Sequence, residues 1–98
     1  MNYIQDVASE IKGVVPASVL PDEPTDRLFL YYAVLALTKG ESVALRDVHD
    51  AWSAWMTEID PSHESIRPFE ELDPDVRGED DPYVNAIRTV ARSRRGAD

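Results

Sequence analysis

A ten-residue apolar run, LFLYYAVLAL, begins at Leu28 and constrains the fold more than any other part of the sequence. The run is too short to cross a bilayer, which takes about 18 to 20 apolar residues. Thr25 or Asp26 can cap its start, and Gly40 supplies a helix stop. A helix that is apolar nearly all round is normally covered by neighbours on several sides. The run therefore predicts a central helix over residues 26–39.

Two amphipathic helices are predicted on either side of this run in the sequence. Apolar residues in the segment 2–14 recur at three- and four-residue spacings, until Gly13 and Pro16 end the helix. The segment 44–59 has the same periodicity, and Ser42 is its expected N-cap. Its apolar stripe consists of Leu45, Val48, Trp52, Trp55 and Ile59.

The remaining two-fifths of the chain, residues 60–98, divides into a loop and a helix. Residues 60–81 contain three prolines and many acids around an apolar island that includes Phe69. This composition predicts an irregular, ordered loop with one short helical turn. The last helix is expected to start with Asp81 as N-cap and Pro82 in the first helical position, where its missing N–H costs nothing. We expect residues 96–98 to fray.

Together these elements predict an all-α fold, a compact array of about four helices around the central helix, in a single domain over residues 1–98. A chain of 98 residues can bury one core and has no room for a separate catalytic lobe. Apolar residues make up 43% and charged residues 30%, which is typical of a folded, soluble chain. Polar and β-branched residues nowhere alternate long enough to predict a strand.

Several chemistries require residues or motifs that this sequence lacks. There is no cysteine, which excludes a disulfide, a thiolate nucleophile and a cysteine-based zinc site. Asp6 and Glu10 stand where a signal peptide would need a basic start and an unbroken apolar run, so we expect a cytoplasmic protein. P-loops, serine nucleophile elbows and glycine-rich dinucleotide turns are absent from the sequence. We therefore expect neither an enzyme nor a cofactor.

Charge is distributed unevenly along the chain. The formal net charge is −9, with −10 in residues 41–81 and +3 in residues 82–98. General nucleic-acid binding needs clustered Lys and Arg, so nucleic acid is not an expected partner. Arg88, Arg92 and Arg95 are expected to form a cationic face on the last helix. This face would contact the acidic segment of the same chain or of a second copy.

The tryptophans and the loop that follows them form the candidate ligand site. Trp52 and Trp55, three residues apart, fit either a core stripe or an aromatic wall on which a ring could stack. His63 and Arg67 could donate hydrogen bonds to an anion beside that wall, near Phe69. In the alternative, structural interpretation, Phe69 fills part of the core and a neighbouring glutamate pairs with an arginine. Both interpretations fit the sequence.

The histidines and acids do not match a known metal or catalytic pattern. His49 and His63 are fourteen residues apart, which is not a standard metal-ligand spacing, so no metal is expected. Hydrogen bonds to backbone carbonyls or carboxylates are the expected role of these rings. Catalytic carboxylates need a sheltered pocket, and the run 79–81 lacks the residue order of a calcium loop. We expect the acids to form a solvated surface.

Three segments, VHDAWSAWM, PSHESIRPFEELDPD and EDDPYVNAI, occur in this order and resemble the ryanodine-receptor-type repeat module over residues 48–90. This resemblance implies an all-α scaffold for assembly contacts, and some prokaryotic members are proposed to sense nucleotide-like ligands. The repeat has a longer, glycine-containing insertion where only Thr57 to Ser62 separate Met56 from His63. Through its central LYYAVLAL run and its VHDAWSAWM segment, the whole sequence is also similar to a family of short uncharacterised proteins of actinobacteria and their phages. Neither resemblance supplies a catalytic residue.

Three functional hypotheses follow from the sequence. The first is a non-enzymatic interaction module that binds another protein or a second copy of itself. The second is a module for a small anionic ligand such as a nucleotide, and its pocket residues would be Trp52, Trp55, His63, Arg67 and Phe69. The third is a phage-borne inhibitor whose acidic surface mimics nucleic acid and binds a basic host protein.

Overall fold

The computed structural model describes residues 2–96, and four long helices account for most of them. The helices are α1 (Tyr3–Val14), α2 (Asp26–Thr38), α3 (Leu45–Ile59), the single-turn α4 (Pro74–Arg77) and α5 (Asp81–Gly96). Short 3₁₀ turns lie at Ala17–Val19, Gly40–Ser42, Phe69–Glu71 and Gly78–Asp80. These described residues contain no strand, and the predicted all-α array of about four helices is confirmed.

The apolar run forms α2, which packs against α1, α3 and α5. Its inward face is covered, and the buried residues there are Leu28, Phe29, Tyr32, Ala33 and Ala36. The Tyr32 ring lies edge-on to Phe29, with ring centroids 5.6 Å apart, and its centroid is 5.4 Å from that of Tyr83 on α5. Aromatic pairs at such separations stabilise a core beyond the effect of burial alone. The prediction of a central helix is confirmed on this face.

One face of α2 is partly exposed to solvent. Val34 and Leu37 are 45% and 47% exposed, and Leu30 is half-buried. These three side chains follow one another at spacings of four and three residues, so they form one stripe along the helix. The neighbouring helices α1, α3 and α5 cover α2 on several sides, as predicted, and leave this stripe open.

Short-range hydrogen bonds fix the starts of α1 and α3. Asn2 Oδ1 accepts from the Gln5 backbone N–H at 2.9 Å, and Gln5 Oε1 accepts from the Asn2 N–H at 3.0 Å, which is a capping box. At α3 the Asp47 carboxylate accepts from the Ala44 N–H at 2.8 Å. Ser42 was the predicted cap of α3, but its hydroxyl donates to the Lys39 carbonyl at 2.6 Å. The prediction for Ser42 is therefore wrong.

Two other predicted caps also differ from the structure. Thr25 precedes α2 without a side-chain capping hydrogen bond to any described residue. Asp81 has helical backbone angles, φ −50° and ψ −45°, because the turn Gly78–Asp80 runs directly into α5. Helical turns follow one another from Pro74 onwards, so the loop predicted for residues 60–81 is irregular only in its first part.

The helix α5 completes the core with one apolar face. Its buried residues are Tyr83, Val84, Ala86, Ile87 and Val90. Gly96 is the last residue of this helix, and the rest of the segment predicted to fray, Ala97 and Asp98, lies outside the described residues. None of the helices formed by residues 2–96 has both the length and the apolar character needed to span a membrane.

Candidate functional site

A cavity of about 190 Å³ lies where α3, the segment after it and the turn before α5 meet. Seven residues line it: His49, Trp52, His63, Ser65, Val76, Glu79 and Asp80. Pockets for drug-sized ligands usually enclose about 300 to 1,000 Å³, so this space suits a small organic group. Both histidines of the chain and one of its two tryptophans lie here.

Backbone hydrogen bonds fix one ring nitrogen of each histidine. The His49 ring is buried, and its Nε2 lies 2.7 Å from the carbonyl oxygen of Arg67, so Nε2 carries the proton. His63 Nδ1 accepts from the backbone N–H of Ser65 at 3.0 Å, so in the neutral ring the proton is on Nε2. His49 therefore has one of the predicted partners, a backbone carbonyl, whereas the hydrogen bond described for His63 comes from a backbone N–H instead. In residues 2–96 no three His, Asp or Glu side chains are grouped so that they could share a metal ion.

Trp52 forms the aromatic wall of the cavity. Its ring is half-buried and stacks on His49, with centroids 5.8 Å apart and an angle of 20° between the ring planes. The His63 ring meets Trp52 at 83°, with centroids 5.2 Å apart. Trp55 is only 2% exposed and belongs to the main core. Trp52 also packs against this core, so it both contributes to the core and lines the cavity.

The charged residues of the cavity lining are both acids. Glu79 is exposed, whereas Asp80 is partly buried. Burial raises the pKa of Asp80 from the ordinary value of 3.8 to about 6, and the nearby charges of Glu79 and Asp81 act in the same direction. His49 acts in the opposite direction on this pKa. The two carboxylates give the lining two negative charges once Asp80 is ionised.

The other predicted ligand residues lie outside the cavity lining. Arg67 is exposed on a separate shallow surface and contacts His49 only through its backbone carbonyl. Phe69 is half-buried, and its ring centroid is 5.4 Å from the guanidinium carbons of both Arg46 and Arg77. Arg46 also pairs with Glu70, as the structural interpretation of this segment predicts, but Phe69 is not part of the core cluster that interpretation expected it to fill. Of the predicted set, the structure brings Trp52 and His63 together and leaves Trp55, Arg67 and Phe69 elsewhere.

Sequence reasoning missed part of the lining, most clearly Val76 and Asp80. The run 79–81 was expected to be a solvated acidic surface, which is correct for Glu79 and Asp81 but wrong for Asp80. A usable signal was the helical spacing: Val76 and Asp80 are four residues apart and share one side of a continuous helical segment. Assigning this segment to an irregular loop concealed that relationship.

Every residue that lines this cavity lies in the part of the chain that matches a known family. A family model described as a domain of unknown function, DUF7701, matches residues 2–92. The chain belongs to the DUF7701 family. Comparisons with curated proteins and with solved structures find no match. The match therefore assigns the domain to a family, and the description of that family names no activity.

In this DUF7701 chain the arginines of α5 contact other parts of the same chain. The Nε and Nη2 groups of Arg88 both donate hydrogen bonds to the carbonyl oxygen of Val43, at 3.1 and 2.8 Å. Arg92 and Arg95 both pair with Glu41, at 2.9 and 2.5 Å, and the hydrogen bond from Arg92 lowers the pKa of the Glu41 carboxyl. The face predicted from the three arginines thus lies against the turn that precedes α3.

Replacing Arg88 with leucine is expected to lower the free energy of unfolding by about 2 kcal/mol, because the Val43 carbonyl loses two charge-assisted hydrogen bonds. Arg92→Leu is the matched control, since its ion pair with Glu41 is exposed and such pairs contribute about 0 to 1 kcal/mol. Urea denaturation of both variants measures the difference. Equal losses would contradict a special role for Arg88.

A second feature of the DUF7701 fold is an apolar surface on α2, which we call the α2 ridge and define as Leu30, Val34 and Leu37. A groove between α2 and α3 runs beside it, and the groove residues are Tyr31, Val34, Leu35, Asp47, Asp50 and Ala51. Arg27 and Glu58 pair at 2.7 Å near one end of the groove, and Lys39 and Asp47 pair at 3.6 Å near the other. The groove is therefore apolar along its length and charged at its ends.

Proposed function

We propose that this DUF7701 chain is a non-enzymatic interaction module that binds a partner protein through the α2 ridge and the adjoining groove. The observation that carries the proposal is the exposure of Val34 and Leu37, at 45% and 47%, on the central helix of the fold. Apolar side chains that lie together on a surface are typical of sites where another molecule binds. A groove beside a helix is a common seat for an amphipathic helix of a partner.

The charges around the groove favour a basic partner. Asp47 and Asp50 line the groove, and in the described part of the chain Asp50 has no ion pair. The whole chain carries a formal charge of −9, so two copies repel each other at low salt. We therefore assign the groove to a basic amphipathic segment of another protein, whose apolar side chains contact the α2 ridge and whose cations face the two aspartates.

The non-enzymatic part of the proposal, and the location in the cytoplasm, rest on the sequence. The sequence contains no phosphate-binding loop and no nucleophile elbow, and its resemblances supply no catalytic residue. The resemblance of residues 48–90 to a ryanodine-receptor-type repeat would instead favour a small anionic ligand at Trp52 and His63. We do not propose an anion, because the charged residues of that cavity lining are Glu79 and Asp80 and because Arg67 lies outside it.

The test is an NMR titration of the full chain with a synthetic helical peptide of roughly 18 residues, or about five turns. The peptide carries leucine on one face and lysine on the other, and a matched peptide carries glutamate in place of lysine. We expect the lysine peptide to shift amide signals of α2 and α3. The double variant Val34→Ser/Leu37→Ser is expected to weaken its binding at least about tenfold, which corresponds to roughly 1.4 kcal/mol.

Val14→Ser is the matched control, because Val14 is 44% exposed but lies on α1. This variant is expected to bind the lysine peptide as the original chain does. Equal responses to both peptides, or unchanged binding by the double variant, would contradict the proposal. Sedimentation equilibrium at about 10 and 500 mM salt tests whether a second copy of the chain occupies the ridge instead. If the original chain is a dimer and the double variant is a monomer, the ridge is the dimer interface.

A further inference from the structure

We propose that the cavity beside Trp52 binds a guanidinium group, held against the indole ring and hydrogen-bonded to the carboxylates of Asp80 and Glu79. The seven lining residues of this cavity include none of the α2 ridge and groove residues. The proposal therefore goes beyond the protein-binding function proposed for α2 and can succeed or fail independently of it.

Asp80 is an exception among the partly buried carboxylates of residues 2–96. Three Asp or Glu residues in that range are neither buried nor fully exposed, namely Glu41, Asp47 and Asp80. Glu41 pairs with Arg92 and Arg95, and Asp47 pairs with Lys39. Asp80 has no ion pair with any described residue, although removing a carboxylate from water without a cationic partner is costly. A bound cation would supply the missing partner.

The walls of the cavity suit a flat cation. A cation within about 6 Å of an indole centroid is attracted by the ring, and guanidinium is the protein-type cation that best combines this contact with hydrogen bonds to carboxylates. The carboxylates of Asp80 and Glu79 in the lining are acceptors for a ligand that has five N–H donors and no acceptor.

The size of the cavity also fits this ligand. The space of about 190 Å³ is large enough for a guanidinium group with a short alkyl stem. An inorganic anion would meet the charges of Asp80 and Glu79, which repel it.

The experiment follows the two indole N–H signals of the full chain during titration with methylguanidinium chloride at pH 7.5. We expect the Trp52 signal to shift in a saturable way while the signal of the core residue Trp55 stays in place and reports an intact fold. N-methylurea, which has nearly the same shape without the charge, is expected to leave both signals unchanged. Methylammonium is expected to bind more weakly than methylguanidinium, because it lacks the planar fork.

Asp80→Asn is expected to weaken methylguanidinium binding at least about tenfold, since it removes the charge that the ligand neutralises. Asp75→Asn removes an equal charge from an exposed position on α4 and is expected to change binding less than about twofold, because screening weakens distant surface charges. An unmoved Trp52 signal, an equal response to N-methylurea, tighter binding of methylammonium, or unchanged binding by Asp80→Asn would each overturn the assignment.

A guanidinium group can come from a free metabolite or from an arginine side chain of a peptide. A second titration therefore uses the tripeptide acetyl-Ala-Arg-Ala-amide, with acetyl-Ala-Gln-Ala-amide as its uncharged counterpart. If the arginine peptide binds at least as tightly as methylguanidinium, the cavity accepts a protein side chain. If methylguanidinium binds and the peptide does not, the cavity accepts a free small cation. Either result supports a guanidinium site, and failure of both probes refutes it.

Discussion

Replacing Trp55 with alanine is expected to lower the free energy of unfolding by about 3 to 5 kcal/mol, whereas Trp52→Ala is expected to lower it by only about 1 to 2 kcal/mol. Trp55 is 2% exposed in the main core, so its removal leaves a new internal void. Trp52 is half-buried beside a cavity that already exists, so its removal mainly enlarges that space. The stacking contacts with His49 and His63 account for most of the smaller loss.

Urea denaturation followed by far-UV circular dichroism measures this pair, because the variants differ in tryptophan content and their fluorescence is not comparable. Small domains are usually stable by about 5 to 15 kcal/mol, so the Trp55→Ala variant can be extensively unfolded. Trp55→Phe preserves more of the volume and is expected to lose about 1 to 3 kcal/mol, which keeps the comparison measurable. Equal losses from Trp52→Ala and Trp55→Ala would contradict the different environments of the two indoles.

The contrast between these indoles also shows how far periodicity determines a fold. Apolar spacing predicts α1, α2, α3 and α5 at nearly their observed positions, because each helix buries one face and the period of that face is fixed by helix geometry. Residues three apart on a helix point about 60° away from each other. Trp52 and Trp55 can therefore have different surroundings, and the choice between core and cavity depends on the segment that folds over α3.

Helix starts were less predictable than helix centres, because several residues can compete for the same backbone N–H groups. Ser42 has the right side chain for an N-cap, but its hydroxyl bonds to the Lys39 carbonyl within a 3₁₀ turn. Asp47 reaches back to the Ala44 N–H and satisfies the start of α3 instead. Composition cannot distinguish these two outcomes, since both use a residue type that favours helix ends.

The candidate site required tertiary information. His63 and Trp52 were recognisable as ligand-type residues, but Arg67 turns outward although it is only four positions from His63. Asp80 was concealed among acids at positions 79–81, and only the packing of α3 against the helical segment before α5 removes it from water. Likewise, the contact of Arg92 with Glu41 joins residues that are 51 positions apart. The number of charged residues in each segment indicates that such ion pairs can form, but it does not indicate which residues pair.

Asp80→Asn is expected to raise the free energy of unfolding at pH 7 by up to about 3 kcal/mol and to have little effect near pH 4. The pKa of Asp80 rises from 3.8 to about 6 on folding, so the unfolded chain releases this proton first as the pH increases. Stability is therefore lost between about pH 4 and pH 6 and stays low above that range. Asparagine resembles protonated aspartic acid at every pH, so the Asp80→Asn variant does not lose this stability as the pH rises.

Urea denaturation between pH 4 and pH 8 measures the difference between the original chain and Asp80→Asn, with Asp75→Asn as the control at an exposed position. The titratable groups that surround Asp80 are His49, His63, Glu79, Asp81, Tyr32 and Tyr83. Their interactions with the Asp80 charge are lost in Asp80→Asn and therefore form part of the measured difference, whereas Asp75→Asn retains them. A difference that does not change with pH would contradict the burial of an unpaired carboxylate at Asp80.

The same measurement in the presence of methylguanidinium connects the stability of the chain with its proposed ligand. A cation bound beside Asp80 stabilises the ionised carboxylate and lowers its pKa in the folded state. The original chain should then lose less stability between pH 4 and pH 6, while Asp80→Asn should show no such change. A ligand effect of equal size in both proteins would place the binding site away from Asp80, even if the carboxylate itself is buried and unpaired.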